Sequence, residues 1–274
     1  MSEAPPRIFD RKIQALRRAR AARLQTDRFL LNEAVEGVKD RLAPVNRAFA
    51  TALALDENAA ATLQGPDTKW RAVTFTDGEK LEAESGFDLA VSILGLHNIN
   101  DLPGALVQIR RALKPDGLFV AALFGGSTLS ELRDSFAQGE IATMGGISPR
   151  VAPMADVREL GALLQRAGFA LPVVDVERTT VRYRSFATLV QDLRAMGETN
   201  ALVGRQPFLS RATFAAALAH YQEKHADPDG RFLATFDIVY LLGWAPDASQ
   251  PQPLKPGSAR ARLADALGVK EHKF

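Results

Sequence analysis

The stretch FDLAVSILGLHNINDLPGALVQIRRALKPDGLFVAALFGG, Phe87 to Gly126, decides the fold. Phe87 to Leu94 is almost continuously apolar, the pattern of a strand covered by helices on both faces. Leu102 to Leu113 carries its apolar residues at helical spacing, and Lys114-Pro115-Asp116-Gly117 has turn chemistry. Leu118 to Phe124 is a second buried strand. Strand, crossover helix and strand make a βαβ unit, which places the two strands side by side and parallel. The expected class is therefore α/β, with a mostly parallel sheet between helices.

Upstream, a basic helix is predicted from Pro5 and Pro6 to about Arg23, and a second helix from Phe29 to Leu42, stopped near Pro44. Phe49 to Leu55 reads as a short buried strand, Asp56 to Leu63 as a helix ended by Gly65-Pro66, and Trp70 to Thr76 as a strand. Downstream, helices are expected over Thr128 to Gln138, Asp156 to Ala167, Phe186 to Met196 and Arg211 to Lys224. A loop is expected over Gly139 to Pro153, and strands over Val173 to Tyr183 and Phe232 to Trp244. The resulting division is a basic helical segment 1–44, an α/β domain 45–246 with a helical insertion at about 128–230, and an extended tail 247–274.

Composition narrows the chemistry. The 274 residues are 46% hydrophobic and 24% charged, an ordinary globular balance. No apolar run reaches the roughly 18–20 residues that span a bilayer, and the N-terminus lacks the apolar core of a signal peptide. Zero cysteines exclude disulfides, thiolate metal sites and a cysteine nucleophile, which suggests a cytoplasmic location. With four histidines (His97, His220, His225 and His272) and no supporting spacing, no metal site is expected.

The net charge of +2 hides an uneven distribution, since eight arginines and lysines crowd Arg7 to Arg28. That face suits either plain solvation or contact with an acidic protein or a membrane surface. Nucleic acid is not expected, because no aromatic residues interleave with the arginines to stack bases.

Ligands of open α/β sheets bind beyond the carboxyl ends of the strands. His97 and Asn98 form the strongest polar pair there: a general base or substrate contact on one reading, a loop histidine satisfied by backbone on the other. Asp77 suits a hydrogen bond to a ligand amine or a turn before Gly78. Gly125-Gly126 offers either an anion-binding helix start or a turn that only glycine can make. GxSxG, HExxH and Walker motifs are absent.

These residues resemble the second half of an S-adenosylmethionine (SAM)-dependent methyltransferase domain. Together with IFDRK at Ile8 to Lys12, GGISPRVAP at Gly145 to Pro153, LLQRAGF at Leu163 to Phe169, DLRAMGETNAL at Asp192 to Leu202 and TFDIVYLLGWAP at Thr235 to Pro246, the chain resembles the complex I assembly factor 5 family. The malonyl-carrier-protein methyltransferase of biotin synthesis is a related domain. The resemblance implies a Rossmann-like methyltransferase sheet of seven strands with added C-terminal helices. It also implies a context of respiratory complex I assembly and, for the mitochondrial member, hydroxylation of a protein arginine. If a cofactor binds, the family implies SAM, with Asp77, Gly95, Leu96 and His97 beside it.

One departure stands out. Where the family runs LDLGCGRG, this chain has Leu53-Ala54-Leu55-Asp56-Glu57-Asn58-Ala59-Ala60. Ala54 replaces the acid, and Asp56 and Asn58 stand in place of the glycines that let backbone approach the methionine part of SAM. Weak or lost SAM binding is expected, with Asp56 and Glu57 facing the ligand carboxylate. About fifteen residues separate Leu55 from Trp70, too few for the usual second strand, so the cofactor-loop half is expected to be truncated. Two readings follow. One is a protein-binding assembly role, with Arg17, Arg18, Arg20, Arg194, Glu198 and Asn200 as the contact surface and a respiratory-complex subunit or a related methyltransferase-like subunit as partner. The other is an active methyltransferase or protein-arginine hydroxylase using His97 and Asn98.

Overall fold

The computed structural model describes residues 7–24, 28–63, 67–76, 79–205 and 208–251. Asp77 and most of the expected tail, from 252 onward, lie outside them. The chain opens with α1 (Arg11–Ala21), capped by Asp10, and α2 (Phe29–Leu42). Then come β1 (Thr51–Ala54), α3 (Glu57–Thr62) and β2 (Lys69–Ala72). The deciding stretch gives β3 (Phe87–Ile93), a 3-10 turn (Leu96–Asn98), α4 (Leu102–Ala112) and β4 (Leu113–Gly125). The rest gives α5 (Ser130–Met144), α6 (Val157–Arg166), β5 (Ala170–Tyr183), α7 (Phe186–Met196), α8 (Arg211–Lys224) and β6 (Phe232–Trp244).

The sheet has the order β2-β1-β3-β4-β6-β5. β1 pairs in parallel with β2 and β3, and β3 with β4, while β6 runs antiparallel to both β4 and β5. Alternation along the central strands divides the core. Val91, Ile93, Val120 and Ala122 face a layer that includes Leu30, Ala34 and Val38 of α2. Ala90, Phe119, Ala121 and Leu123 face Leu106 and Ile109 of α4 and Leu160 and Leu164 of α6. Both faces are thus dry, as a parallel centre requires. Among the described residues the sheet has six strands where the resemblance implied seven. The interval between β1 and β2, expected to be too short for a second strand, holds one: the short α3 carries the crossover, and β2 pairs in parallel with β1 from Thr51–Lys69 to Ala54–Ala72.

Two local expectations change. Lys114 to Gly117 is not a free turn: β4 already begins at Leu113, and a register shift between Phe87 and Leu89, with Asp116 at φ 58°, absorbs the irregularity inside the sheet. Of the loop expected over Gly139 to Pro153, the first part is instead the last turns of α5, which runs to Met144, and the chain is irregular only from Gly145. A β-carbon on Gly139 would lie 2.7 Å from the Ala217 nitrogen of α8, so this glycine serves close helix packing rather than a bend.

α1 is not a free arm. Asn100 Oδ1 accepts hydrogen bonds from the Ile8 and Phe9 nitrogens (2.7 and 2.6 Å). Asp10 N donates to Ala201 O and Val203 N to Ile8 O, both at 2.8 Å. The buried Gln14 of α1 donates to Asn98 O (2.9 Å). The N-terminal helix and the segment after α7 are therefore fastened together over the carboxyl ends of β1 and β3.

Candidate functional site

The turn after β1 is tied to β3 by its own side chains. Asp56 caps α3 by accepting from Ala59 N (2.8 Å). Its second oxygen accepts from Ser92 Oγ (2.6 Å) and Ile93 N (2.8 Å). Asn58 Nδ2 donates to Ile93 O (3.0 Å). The sequence signal was Ser92, a lone polar residue in an apolar strand that must find a partner once buried. Burial pushes the Asp56 carboxyl pKa up, against the hydrogen bonds from Ser92, Ala59 and Ile93. Asp56 was expected to face a ligand; its carboxylate turns into the protein and is 6% exposed. A β-carbon on Gly95 would lie 2.7 Å from Asp56 Oδ2, so that glycine makes room for the protein's own carboxylate. Ala54 is buried within β1. The hollow left here holds about 50 Å³ and is lined by Arg18, Asp56, Glu57, Asn58, Gly95 and Glu198 among others.

His97 lies in the 3-10 turn after β3, with its ring packed edge-on against Phe124 (5.1 Å between centroids). Its Nε2 stands 3.1 Å from Glu198 Oε2. Asn98 Nδ2 donates to the same oxygen (3.2 Å) and stands 2.9 Å from the ring nitrogen. Leu96, expected beside a cofactor, is buried in the core. Burial works to raise the Glu198 pKa, but His97, Arg18 and Asn98 outweigh it and hold the carboxyl below the usual glutamate range. Glu198 and Asn98 also line a cavity of about 160 Å³ whose other walls include Phe9, Phe124, Met154 and Leu193. His97 itself does not line this cavity; it sits behind Asn98, Phe124 and Glu198, which do, so the wall presents the carboxylate and amide that the imidazole orients.

The remaining candidates scatter. Gly125-Gly126 is a turn whose amides are occupied: Gly126 N donates to Ala155 O (3.0 Å) and Ser127 N to Asp237 Oδ2 (2.8 Å). Arg178 then neutralises Asp237 through two hydrogen bonds of 2.7 and 2.9 Å. Of the residues expected to form a partner surface, Arg20 and Arg194 are exposed. Arg17 is half-buried and bonded to Thr199 Oγ1, with its pKa lowered by burial and by Arg205, Arg20 and Arg194. Arg18 is half-buried beside Glu57 and Glu198. Glu198 turns inward to His97, and Asn200 donates to Pro149 O (2.9 Å). Spacing alone could not tell an inward from an outward face in the irregular segment after α7.

Residues 29–172 match the model of a methyltransferase domain. Over 182 residues the chain is 46% identical to "Arginine-hydroxylase NDUFAF5, mitochondrial" of Danio rerio, covering 66% of this chain and 57% of that protein. It is 36% identical over 182 residues to the malonyl-[acyl-carrier protein] O-methyltransferase of Xylella fastidiosa, covering 66% of this chain and 59% of that one. The chain thus spans less than two thirds of the length of these relatives. A crystal structure of a candidate methyltransferase from Bacillus halodurans superposes with a TM-score of 0.50 at 13% identity, over 78% of this chain and 99% of that one, a likeness of fold. The cytoplasmic location expected from the missing cysteines is overturned, because the arginine-hydroxylase relatives carry mitochondrial names. A cysteine-free chain carries no redox mark of any compartment.

Proposed function

The chain belongs to the methyltransferase-domain family, and we propose that it acts in respiratory complex I assembly as a protein-binding subunit, without methyl transfer from SAM. The observation that carries this reading is the closed turn after β1. The hydrogen bonds of Asp56 and Asn58 with β3 are internal, and side chains stand where the family's glycines would admit a ligand. The hollow of about 50 Å³ compares with roughly 300–1,000 Å³ for a typical small-molecule site. On this reading the turn, with Asp56 and Asn58 bonded to β3, does not admit SAM. The 46% identity to a protein named NDUFAF5 supports the assembly context. The exposed Arg20 and Arg194 supply a basic face for an acidic patch on a respiratory-complex subunit or on a related methyltransferase-like subunit.

A second reading, an enzyme such as a methyltransferase or a protein-arginine hydroxylase, is favoured by Asn98 and Glu198 at the wall of the cavity of about 160 Å³, with His97 bonded behind them. One experiment separates the two. The gene is removed from its source cell, and assembled complex I is measured on native gels after return of wild type, of the Arg20→Glu/Arg194→Glu double variant, or of Glu198→Gln. The partner reading expects the double variant to fail and Glu198→Gln to restore assembly; the enzyme reading expects the reverse. Normal complex I without the gene would overturn the assembly role.

A further inference from the structure

Away from the cavity, α5 and the end of α8 bring three metal-type ligands together. Asp134 Oδ2 lies 2.8 Å from His225 Nε2 and 3.7 Å from His220 Nδ1, and one ligand atom from each residue falls within 4.8 Å of the other two. The two imidazoles stand 5.8 Å apart between ring centroids. All three side chains are partly exposed: 44% for Asp134, 22% for His220 and 24% for His225. None of them lines the cavity beside His97. We propose that this cluster binds one divalent ion of the zinc class.

The donor set is two neutral imidazoles and one carboxylate, which suits Zn²⁺, Co²⁺ or Ni²⁺ and disfavours Mg²⁺ and Ca²⁺, whose sites are built from oxygen. Ligand atoms about 2.0–2.2 Å from a shared zinc ion stand roughly 3.0–3.5 Å from one another. Two of the separations here already bracket that range, so closing the set needs only side-chain rotation at half-exposed positions. The backbone adds to the case. His225 is the C-cap of α8, so the negative end of that helix dipole points toward the site. Ser135, next to Asp134, lies 3.5 Å from His220 Nδ1, at the margin of a hydrogen bond. The ion would pin the C-terminal end of α8 to α5. The remaining coordination positions face solvent, so water completes the shell. Sequence spacing concealed this set, because Asp134 and His225 are 91 residues apart and meet only when α5 packs on α8.

The test is calorimetric titration of Zn²⁺, and separately Co²⁺ with its visible absorption followed, into untagged, chelator-treated full-length chain at pH 7.5. His225→Gln, His220→Gln and Asp134→Asn are titrated in parallel, with His272→Gln as the control. The expected result is one saturable equivalent of ion, a rise in melting temperature on binding, and a Co²⁺ spectrum of nitrogen–oxygen ligation. Each of the three ligand variants is expected to bind at least about tenfold more weakly, and His272→Gln to bind as wild type does. Imidazole must be neutral to ligate, so affinity is expected to fall on acidification to pH 5.5. Absence of saturable binding overturns the proposal, as does binding that survives all three ligand substitutions. His220 and His225 are half-exposed, so the substitutions are expected to leave the unliganded fold intact. A loss of unliganded stability in every variant would instead mark the cluster as a structural ion pair and refute the site.

Discussion

Replacing Asp56 with alanine removes the cap of α3 and both ties to the end of β3. Loss of an N-cap costs about 1 kcal/mol. The Ile93 amide, 2.8 Å from Asp56 Oδ2, is left as a buried donor without its partner, worth about 1–3 kcal/mol. The Ser92 hydroxyl, fully buried, also loses its bond to Asp56 Oδ2, so the other two losses set a minimum. The sum is about 2–4 kcal/mol, or roughly 6–12 °C in Tm for a chain of this size. Urea denaturation followed by circular dichroism measures it. The pH dependence carries its own sign. The folded-state pKa of Asp56 is raised by burial, so at neutral pH the ionised group carries a penalty that is relieved as pH falls from the folded value toward the ordinary aspartate range. The gap in stability between wild type and Asp56→Ala is therefore expected to widen on mild acidification. A cost below about 0.5 kcal/mol, or a gap that narrows with acid, would refute the clamp and leave the carboxylate available to a ligand.

Glu198 has the opposite sign. Its pKa is held low by His97 and Arg18, so its contribution is present above the unfolded glutamate pKa and lost as pH falls through the folded one. Glu198→Gln is expected to flatten that acid limb in urea titrations from pH 7 to 3, and an unchanged limb would argue against the His97 pairing. Gly139→Ala forces a β-carbon to 2.7 Å from Ala217 N and is expected to cost about 1–3 kcal/mol, seen as a lower Tm; a neutral result would mean that α5 and α8 separate easily. Arg20→Glu with Arg194→Glu lies on exposed positions and is expected to change stability by less than about 0.5 kcal/mol, so that a failure to support complex I assembly reports on contact rather than folding.

The central strands were legible because burial on both faces leaves no polar alternation, and Phe87–Ile93 and Leu113–Gly125 lie side by side as that pattern requires. The length between Leu55 and Trp70 misled: it read as too short for a second strand, yet a six-residue α3 carries the crossover from β1 to a parallel β2. Other features needed tertiary contact. Gly139 looks like a helix breaker in one dimension and is a packing notch in three. The orientation of Glu198 depends on α1 and the 3-10 turn meeting the end of α7. Asp56 and Asn58 were read as obstacles to a ligand; they also bond to β3, a partnership that spans more than thirty residues of sequence.

The measurement that bears most directly on the closed turn is calorimetric titration of SAM, and of its demethylated product, into the full-length chain. With Asp56 and Asn58 committed to β3, no saturable binding is expected below about 1 mM, corresponding to an affinity weaker than about −4 kcal/mol. Saturable binding at about 1 µM, near −8 kcal/mol, would contradict the account and return the chain to the cofactor-using members of its family.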